Sequence, residues 1–161
     1  MIRIQEYRKM ILNEHEILLK QVGGLSHVDS LIQPQPGGNC LNWLMGHLVG
    51  NLQIILDVLD APRLSGVPDY KRYGYGSAPV TGDAPDVVPL ETLVAHYGLL
   101  SNAICTRLEL MSEAQFEEEI EHFMGKVTRG WAAFFFFFHN TYHLGQLEQL
   151  RNLAGKTEKV I

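Results

Sequence analysis

Cysteine is scarce in this sequence, with only Cys40 and Cys105 among its 161 residues. Two cysteines cannot build a disulfide framework, and they cannot form a cysteine-type zinc site. We therefore expect a protein whose thiols stay reduced, which is typical of the cytoplasm.

Positive charge and long apolar runs are limited as well. Thirteen Lys and Arg residues against eighteen Asp and Glu residues give a formal net charge of −5 at pH 7. This balance provides no electrostatic case for binding nucleic acid or an anionic membrane. The longest apolar run, residues 131–138, is too short to cross a bilayer. We expect neither a nucleic-acid partner nor a membrane partner.

The sequence has the composition of a globular domain, with 46% hydrophobic and 19% charged residues. A length of 161 residues leaves little room for a second domain, so we expect residues 1–161 to form a single one.

Apolar residues recur at helical spacing in four stretches of the chain. The pattern predicts helices over residues 2–22, 39–60, 89–111 and 128–154. Residues 61–88 form a long loop rich in Pro, Gly and Tyr, and a capping box at Ser112 predicts a short acidic helix over residues 113–121. Four amphipathic helices without convincing strands predict an all-α fold, a four-helix bundle with a long connection between helices two and three.

Among the seven histidines, His139 and His143 are the most informative pair. They lie four residues apart on a predicted helix, so their imidazoles share one face and can hold one metal ion. That face is otherwise apolar, where each unpaired buried imidazole costs about 1–3 kcal/mol. His47, in the middle of the inner face of the second helix, is the natural third ligand. If the second and fourth helices run parallel, the three histidines meet at nearly the same height.

Three neutral histidines leave a divalent metal its charge and at least one open position, which is typical of a catalytic site. The alternative is that the pair are core histidines satisfied by water or backbone. A ferritin-like di-iron site is disfavoured because the sequence holds a single Glu-x-x-His match, Glu119–His122. A zincin is disfavoured because no glutamate lies between His139 and His143.

Two segments of the sequence resemble the signature helices of the DinB-like superfamily. They are GNCLNWLMGHLVGNLQIIL (38–56) and FFHNTYHLGQLEQLR (137–151). Members of that family carry an x-W-L-x-G-H segment on the second helix and H-x-x-x-H-x-G-Q near the end of the last. The resemblance spans essentially the whole chain in helix order. It implies a four-helix bundle that binds one divalent metal ion, zinc or nickel, through His47, His139 and His143.

The resemblance also implies an activity and an assembly state. Family members with known chemistry are transferases and isomerases that depend on low-molecular-weight thiols, and the family is commonly dimeric. We therefore expect a homodimeric, metal-dependent S-transferase or related transferase that acts on a small-molecule substrate. A hydrolase using metal-bound hydroxide fits the residues equally well. A non-enzymatic dimeric stress protein that holds a metal or a small ligand also stays open, because no general base stands out in the sequence.

Three polar residues are candidates for contacts around the histidines. Asn51 lies one turn past His47 and Gln146 one turn past His143, so each could orient a ligand or a bound water. Tyr142 could offer its phenol to a substrate, but the pattern favours a position in the core.

The run of five phenylalanines, residues 134–138, cannot face a single core because successive helical residues are rotated by about 100°. On the helical wheel Phe134 and Phe137 point nearly opposite the histidines. A contiguous patch of exposed aromatic side chains indicates a partner surface. We predict that both contact another subunit, with the 61–88 loop as the alternative.

Overall fold

The computed structural model describes residues 2–161, and helices dominate this part of the chain. The elements are α1 (Ile4–Val22), α2 (His27–Ser30), α3 (Leu41–Val58), α4 (Leu90–Leu110), α5 (Glu113–Phe116), β1 (Glu119–His122), β2 (Gly125–Thr128) and α6 (Arg129–Leu153). One turn of 3₁₀ helix, Lys71–Tyr73, lies in the 61–88 loop. The four long helices were all predicted, and the structure adds a two-stranded sheet. No helix between residues 2 and 161 is both long and apolar enough to span a membrane.

The four long helices pack in a ring, in which α1 and α3 each contact both α4 and α6. The hydroxyl of Tyr7 donates to the carbonyl of Ala133, and Arg151 donates to the carbonyl of Gly23. The first contact joins the N-terminal parts of α1 and α6, and the second joins their C-terminal ends. The two helices therefore run in the same direction.

Helices α3 and α6 run antiparallel, so the premise that the second and fourth long helices are parallel is wrong. Arg129, the first residue of α6, donates to the carbonyl of Val58, the last residue of α3, over 2.6 Å. His47 lies eleven residues before that end of α3, and His139 lies ten residues after the start of α6. The histidines still meet at one height, because His47 and His139 are about equally far from the point where Val58 of α3 meets Arg129 of α6.

The predicted acidic helix over residues 113–121 is correct only in its first turn. Ser112 and Gln115 form the expected capping box, but the helix ends at Phe116. The following residues form strand β1, in which Ile120 lies directly opposite Val127 of β2. β-Branched side chains favour such a half-buried pleated surface. Gly125 permits the turn with a φ of 92°, which suits glycine.

Helix α3 is buried on almost every side, because α4 and α6 cover two faces and the 61–88 loop covers a third. The buried amide of Gln53 donates to the carbonyl of Pro68 in that loop over 2.9 Å. The Sγ of Cys40, which precedes the first residue of α3, donates to the carbonyl of Val80. The loop is therefore fastened along α3, on the helix that carries His47.

Candidate metal centre

His47 on α3 and the pair His139 and His143 on α6 come together between the two helices. One ring nitrogen of each lies within 4.8 Å of those of the other two. The Nε2 atoms of His139 and His143 are 3.2 Å apart. The ring centre of His47 lies 5.2 Å from that of His139 and 5.1 Å from that of His143. The structure thus brings together the three residues that the sequence singled out.

The Nδ1 atoms of two of these histidines face hydrogen-bond acceptors. His47 donates from Nδ1 to the carbonyl oxygen of Tyr73 over 2.8 Å, and His143 donates from Nδ1 to Oε1 of Gln146 over 2.6 Å. A carbonyl oxygen can only accept, so the hydrogen of each ring is on Nδ1 and the lone pair is on Nε2. This is the tautomer that a metal bound at Nε2 requires, held by the outer contact typical of metal-ligating histidines.

Asn51 lies against Nδ1 of the third histidine, His139, with its amide nitrogen towards the ring. Its side chain is 5% exposed, and its amide nitrogen lies 3.0 Å from Nδ1 of His139. A half-turn of the amide presents Oδ1 instead, which accepts a hydrogen from Nδ1 when Nε2 binds a metal. Asn51 and Gln146 therefore both lie against the histidines.

The three imidazoles are kept uncharged by their surroundings. Burial lowers the pKa of His47 and of His143 below the ordinary value. Burial, followed by repulsion from His143 and His47, lowers the pKa of His139 to about 4. Neutral imidazole is the form that binds metal, so the site needs no deprotonation at pH 7. The indole of Trp43 stacks on His47 with ring centres 4.9 Å apart.

The 61–88 loop contributes Tyr73, which the sequence analysis missed. Its ring is 1% exposed and lies on Gly46, where any Cβ would overlap it. Its hydroxyl donates to Oδ1 of Asn42 over 3.2 Å and accepts from the backbone N–H of Val88 over 2.8 Å. A backbone carbonyl carries no signal in the residue type. The one hint in the sequence was Gly46, which precedes His47 inside a helix. Glycine destabilises a helix by about 1 kcal/mol relative to alanine, so its presence there indicates that another group packs closely against it.

Two clefts adjoin the histidines, with volumes of about 610 and 660 Å³. Phenylalanines from the β1–β2 turn and from α6 line the first, which we name the aromatic cleft. Amide and hydroxyl side chains line the second, which we name the polar cleft. His47, His139 and Tyr75 line both clefts, so the two clefts meet at the histidine cluster.

Tyr142 lies at the polar cleft rather than in the core, with 62% of its surface exposed. The amide nitrogen of Gln146 donates to its hydroxyl over 3.5 Å. The favoured core position of Tyr142 is therefore wrong, and its phenol can meet a ligand.

The two predicted interface phenylalanines are both half-buried. Phe137 packs on Tyr7 with ring centres 6.1 Å apart, so it contributes to the core. Phe134 lines a separate surface cleft of about 460 Å³ together with Trp131, which is 46% exposed. Their contact with another subunit stays a prediction.

The donor set fits a divalent transition metal. Three neutral imidazoles converge, and zinc, nickel, cobalt and iron all accept imidazole nitrogen. Three protein ligands leave room for a further ligand, as in catalytic zinc sites.

Comparison with known proteins gives a family and a fold. The sequence model of the DinB superfamily matches residues 13–147, a range that includes all three histidines. The crystal structure of a conserved protein from Enterococcus faecalis superposes with a TM-score of 0.73 and 18% sequence identity, covering 96% of this chain and 98% of that one. At such low identity the likeness shows the fold alone. A search of curated proteins found no match.

Proposed function

Because the chain belongs to the DinB superfamily, we propose that it is a divalent-metal-dependent enzyme, a thiol-dependent S-transferase or related transferase. His47, His139 and His143 are its metal ligands, on a single-domain four-helix bundle. The observation that carries the proposal is the convergence of three neutral imidazoles, each with a hydrogen-bond partner at its Nδ1 atom.

A bound zinc or nickel ion would act as a Lewis acid that lowers the pKa of a thiol. The protein supplies orientation, since the Tyr73 carbonyl and the amides of Asn51 and Gln146 fix the three rings. In the transfer, the thiol sulfur forms a bond to an electrophilic carbon, and the bond from that carbon to its leaving group breaks with the electron pair. The thiol proton passes to solvent. The exposed phenol of Tyr142 lies at the polar cleft, where it can donate a hydrogen bond to a substrate.

The polar cleft offers no general base, since no carboxylate lines it within the described residues 2–161. The nucleophile is therefore one that a bound metal ion would itself activate. Such an ion would lower the pKa of a thiol from about 8.5, and that of water from about 15.7 to about 7, so either nucleophile would form without a base. Turnover measurements separate the transferase from the hydrolase.

The test is the metal content of the chain, purified without a histidine tag. We expect about one divalent ion per chain in the wild type and much less in His143→Ala. His27→Ala, outside the cluster, is the control and should keep the ion. Absence of metal in the wild type, with no uptake of added zinc or nickel, would refute the proposal.

Turnover is then measured on zinc-loaded and metal-free protein with 1-thioglycerol and 1-chloro-2,4-dinitrobenzene. Metal-dependent thiol consumption supports the transferase. Metal-dependent hydrolysis of an activated ester without thiol consumption would indicate the hydrolase instead. A bound ion without either activity would leave a non-enzymatic protein that binds a metal or a small ligand.

We also propose that the protein is a homodimer that uses aromatic side chains of α6. Support comes from Trp131 and Phe138, which are 46% and 62% exposed on this helix, and from the cleft that Phe134 and Trp131 share.

A further inference from the structure

The aromatic cleft is walled by three phenylalanines that contact one another. Phe123, at the tip of the β1–β2 turn, lies 5.7 Å from Phe135 between ring centres, and Phe135 lies 5.4 Å from Phe136. Ile54, from α3, adds an aliphatic side chain that is 38% exposed. Such a wall gains free energy by covering an apolar or aromatic group.

The charged side chains at the rim of the aromatic cleft already have partners. Arg63 forms an ion pair with Asp57 over 2.6 Å, and Asp69 forms one with Lys71 over 3.3 Å. The rim therefore offers no unpaired charge to a ligand. The aromatic cleft fits an uncharged group.

The polar cleft has a different chemical character. Its polar side chains, apart from the histidines, are Asn39, Tyr75, Ser77, Tyr142, Gln146 and Gln149, and they lie beside the apolar Pro34, Trp43, Leu44 and Leu150. Within residues 2–161, no Lys, Arg, Asp or Glu lines it. Amides and hydroxyls can exchange hydrogen bonds with hydroxyls and amides of a ligand. A carboxylate in the part of this cleft away from the histidines would lose hydration without gaining a cation from the lining, which is unfavourable.

The aromatic cleft and the polar cleft meet at the histidines, so two chemically different substrates can reach the same point. We propose that the aromatic cleft receives an uncharged aromatic group of the electrophile and that the polar cleft receives the neutral, hydroxyl- or amide-bearing body of the thiol. The sulfur and the electrophilic carbon then meet beside His47 and His139, which line both clefts. This inference rests on the proposed transferase function, and it excludes polyanionic thiols as the preferred co-substrate.

Three thioethers that resemble transfer products test the inference by titration calorimetry on the metal-free protein, in which a carboxylate cannot coordinate an ion. S-benzyl-1-thioglycerol carries both an aromatic group and a neutral diol. S-methyl-1-thioglycerol lacks the aromatic group, and S-benzyl-3-mercaptopropionate carries a carboxylate in place of the diol. We expect the first to bind about tenfold or more tightly than the second because the phenyl ring is buried. We expect a similar preference, about tenfold, for the diol over the carboxylate.

Variants test whether the preference for the benzyl group arises in the aromatic cleft and whether the preference for the diol over the carboxylate arises in the polar cleft. Phe123→Ser should weaken the benzyl diol by about fivefold to tenfold and leave the methyl diol unchanged. Met124→Ser is the matched control, because Met124 is the next residue of the same turn and does not line the aromatic cleft. Gln149→Lys adds a cation at an exposed position of the polar cleft, and it should strengthen binding of the carboxylate probe by about twofold to fivefold in a salt-sensitive manner.

Several outcomes would overturn the inference. They are equal binding of the benzyl and methyl diols, equal binding of the diol and the carboxylate, equal weakening of both diols by Phe123→Ser, and no binding of any probe at millimolar concentration. The titrations require no turnover. Their failure is therefore distinguishable from failure of the proposed function, which is measured by metal content and thiol consumption.

Discussion

His47 donates its Nδ1 hydrogen to the carbonyl oxygen of Tyr73, 2.8 Å away, and so couples the histidine cluster to the 61–88 loop. The loop holds its position because the ring of Tyr73 lies on Gly46, the residue before His47. One helical glycine therefore sets the distance between the loop and α3. The tautomer of His47 depends on that distance.

Gly46→Ala tests this coupling. The added methyl would overlap the Tyr73 ring, so the loop must move away from α3 and withdraw its carbonyl from His47. We expect the free energy of unfolding to fall by about 1–3 kcal/mol, which is typical of overpacking. We expect zinc affinity to fall by about 10–100-fold, as on loss of an outer contact to a metal ligand. Urea unfolding and zinc competition with a chromogenic chelator measure the two effects.

Gly50→Ala is the matched control for this substitution. Gly50 lies one turn further along α3, where an added Cβ would come 3.5 Å from the Cβ of Tyr70, an ordinary contact. Alanine is the better helix former, so stability should stay level or rise by up to about 1 kcal/mol. Zinc affinity should not change. Equal zinc affinity of Gly46→Ala and wild type would refute the coupling.

Asn51 should orient His139 through its side-chain oxygen. Asn51→Leu keeps the approximate size but removes the hydrogen bond, and we expect zinc affinity to drop by about 10–100-fold. Asn51→Asp should restore most of the affinity, since a carboxylate oxygen also accepts from Nδ1–H. If both variants lose affinity equally, Asn51 serves only to fill space.

The histidine cluster and its amide neighbours could be predicted from helical spacing. His139 and His143 share a face at any helix orientation, and Gln146 follows on the next turn, so the local pattern suffices. The direction of α3 relative to α6 could not be predicted, because helical periodicity reports which face is buried and not which way the partner runs. The three histidines meet in either case, since His47 lies near the middle of its helix.

The β1–β2 hairpin and the contact of the 61–88 loop with His47 could not be predicted from the sequence. The acidic segment before Phe123 has helix-forming glutamates, and its pairing with residues 125–128 depends on burial of Ile120 and Val127 against the rest of the fold. Tertiary packing overrode local propensity there. Tyr73 acts through a backbone oxygen, which every residue type possesses.

The proposed dimer is tested by Phe134→Ser. Phe134 is the better choice than Phe137, because Phe137 packs on Tyr7 and its loss would also weaken the core. We expect sedimentation equilibrium to show a dimer for the wild type and a monomer for the variant, since a polar side chain replaces buried apolar area. Leu110→Ser, an exposed apolar residue at the end of α4, is the control and should remain dimeric. An intact dimer in Phe134→Ser would refute this interface.

Glu14 of α1 makes the stability of the protein depend on pH. The side chain is 2% exposed, and neither oxygen has a hydrogen-bond partner among the described residues. Burial raises the pKa of Glu14 to about 8, opposed in part by the Tyr97 hydroxyl. The folded state therefore keeps a proton that the unfolded state, with a pKa near 4.5, has already released. The contribution to stability is complete below pH 4.5 and is lost as the pH rises towards 8.

We expect Glu14 to lower the free energy of unfolding of the metal-free protein between pH 6.5 and 8, by up to about 1.4 kcal/mol per pH unit. The cluster histidines and His15, whose pKa values are lowered, oppose this trend while their unfolded forms lose protons near pH 6.5, so the effect of Glu14 is read as a difference from Glu14→Gln. Glu14→Gln should become more stable than the wild type by a margin that grows by about 1–2 kcal/mol over this range. Glu16→Gln, exposed on the same helix, should keep the wild-type slope. Parallel urea-unfolding profiles for Glu14→Gln and wild type would show that Glu14 is already ionised in the folded protein.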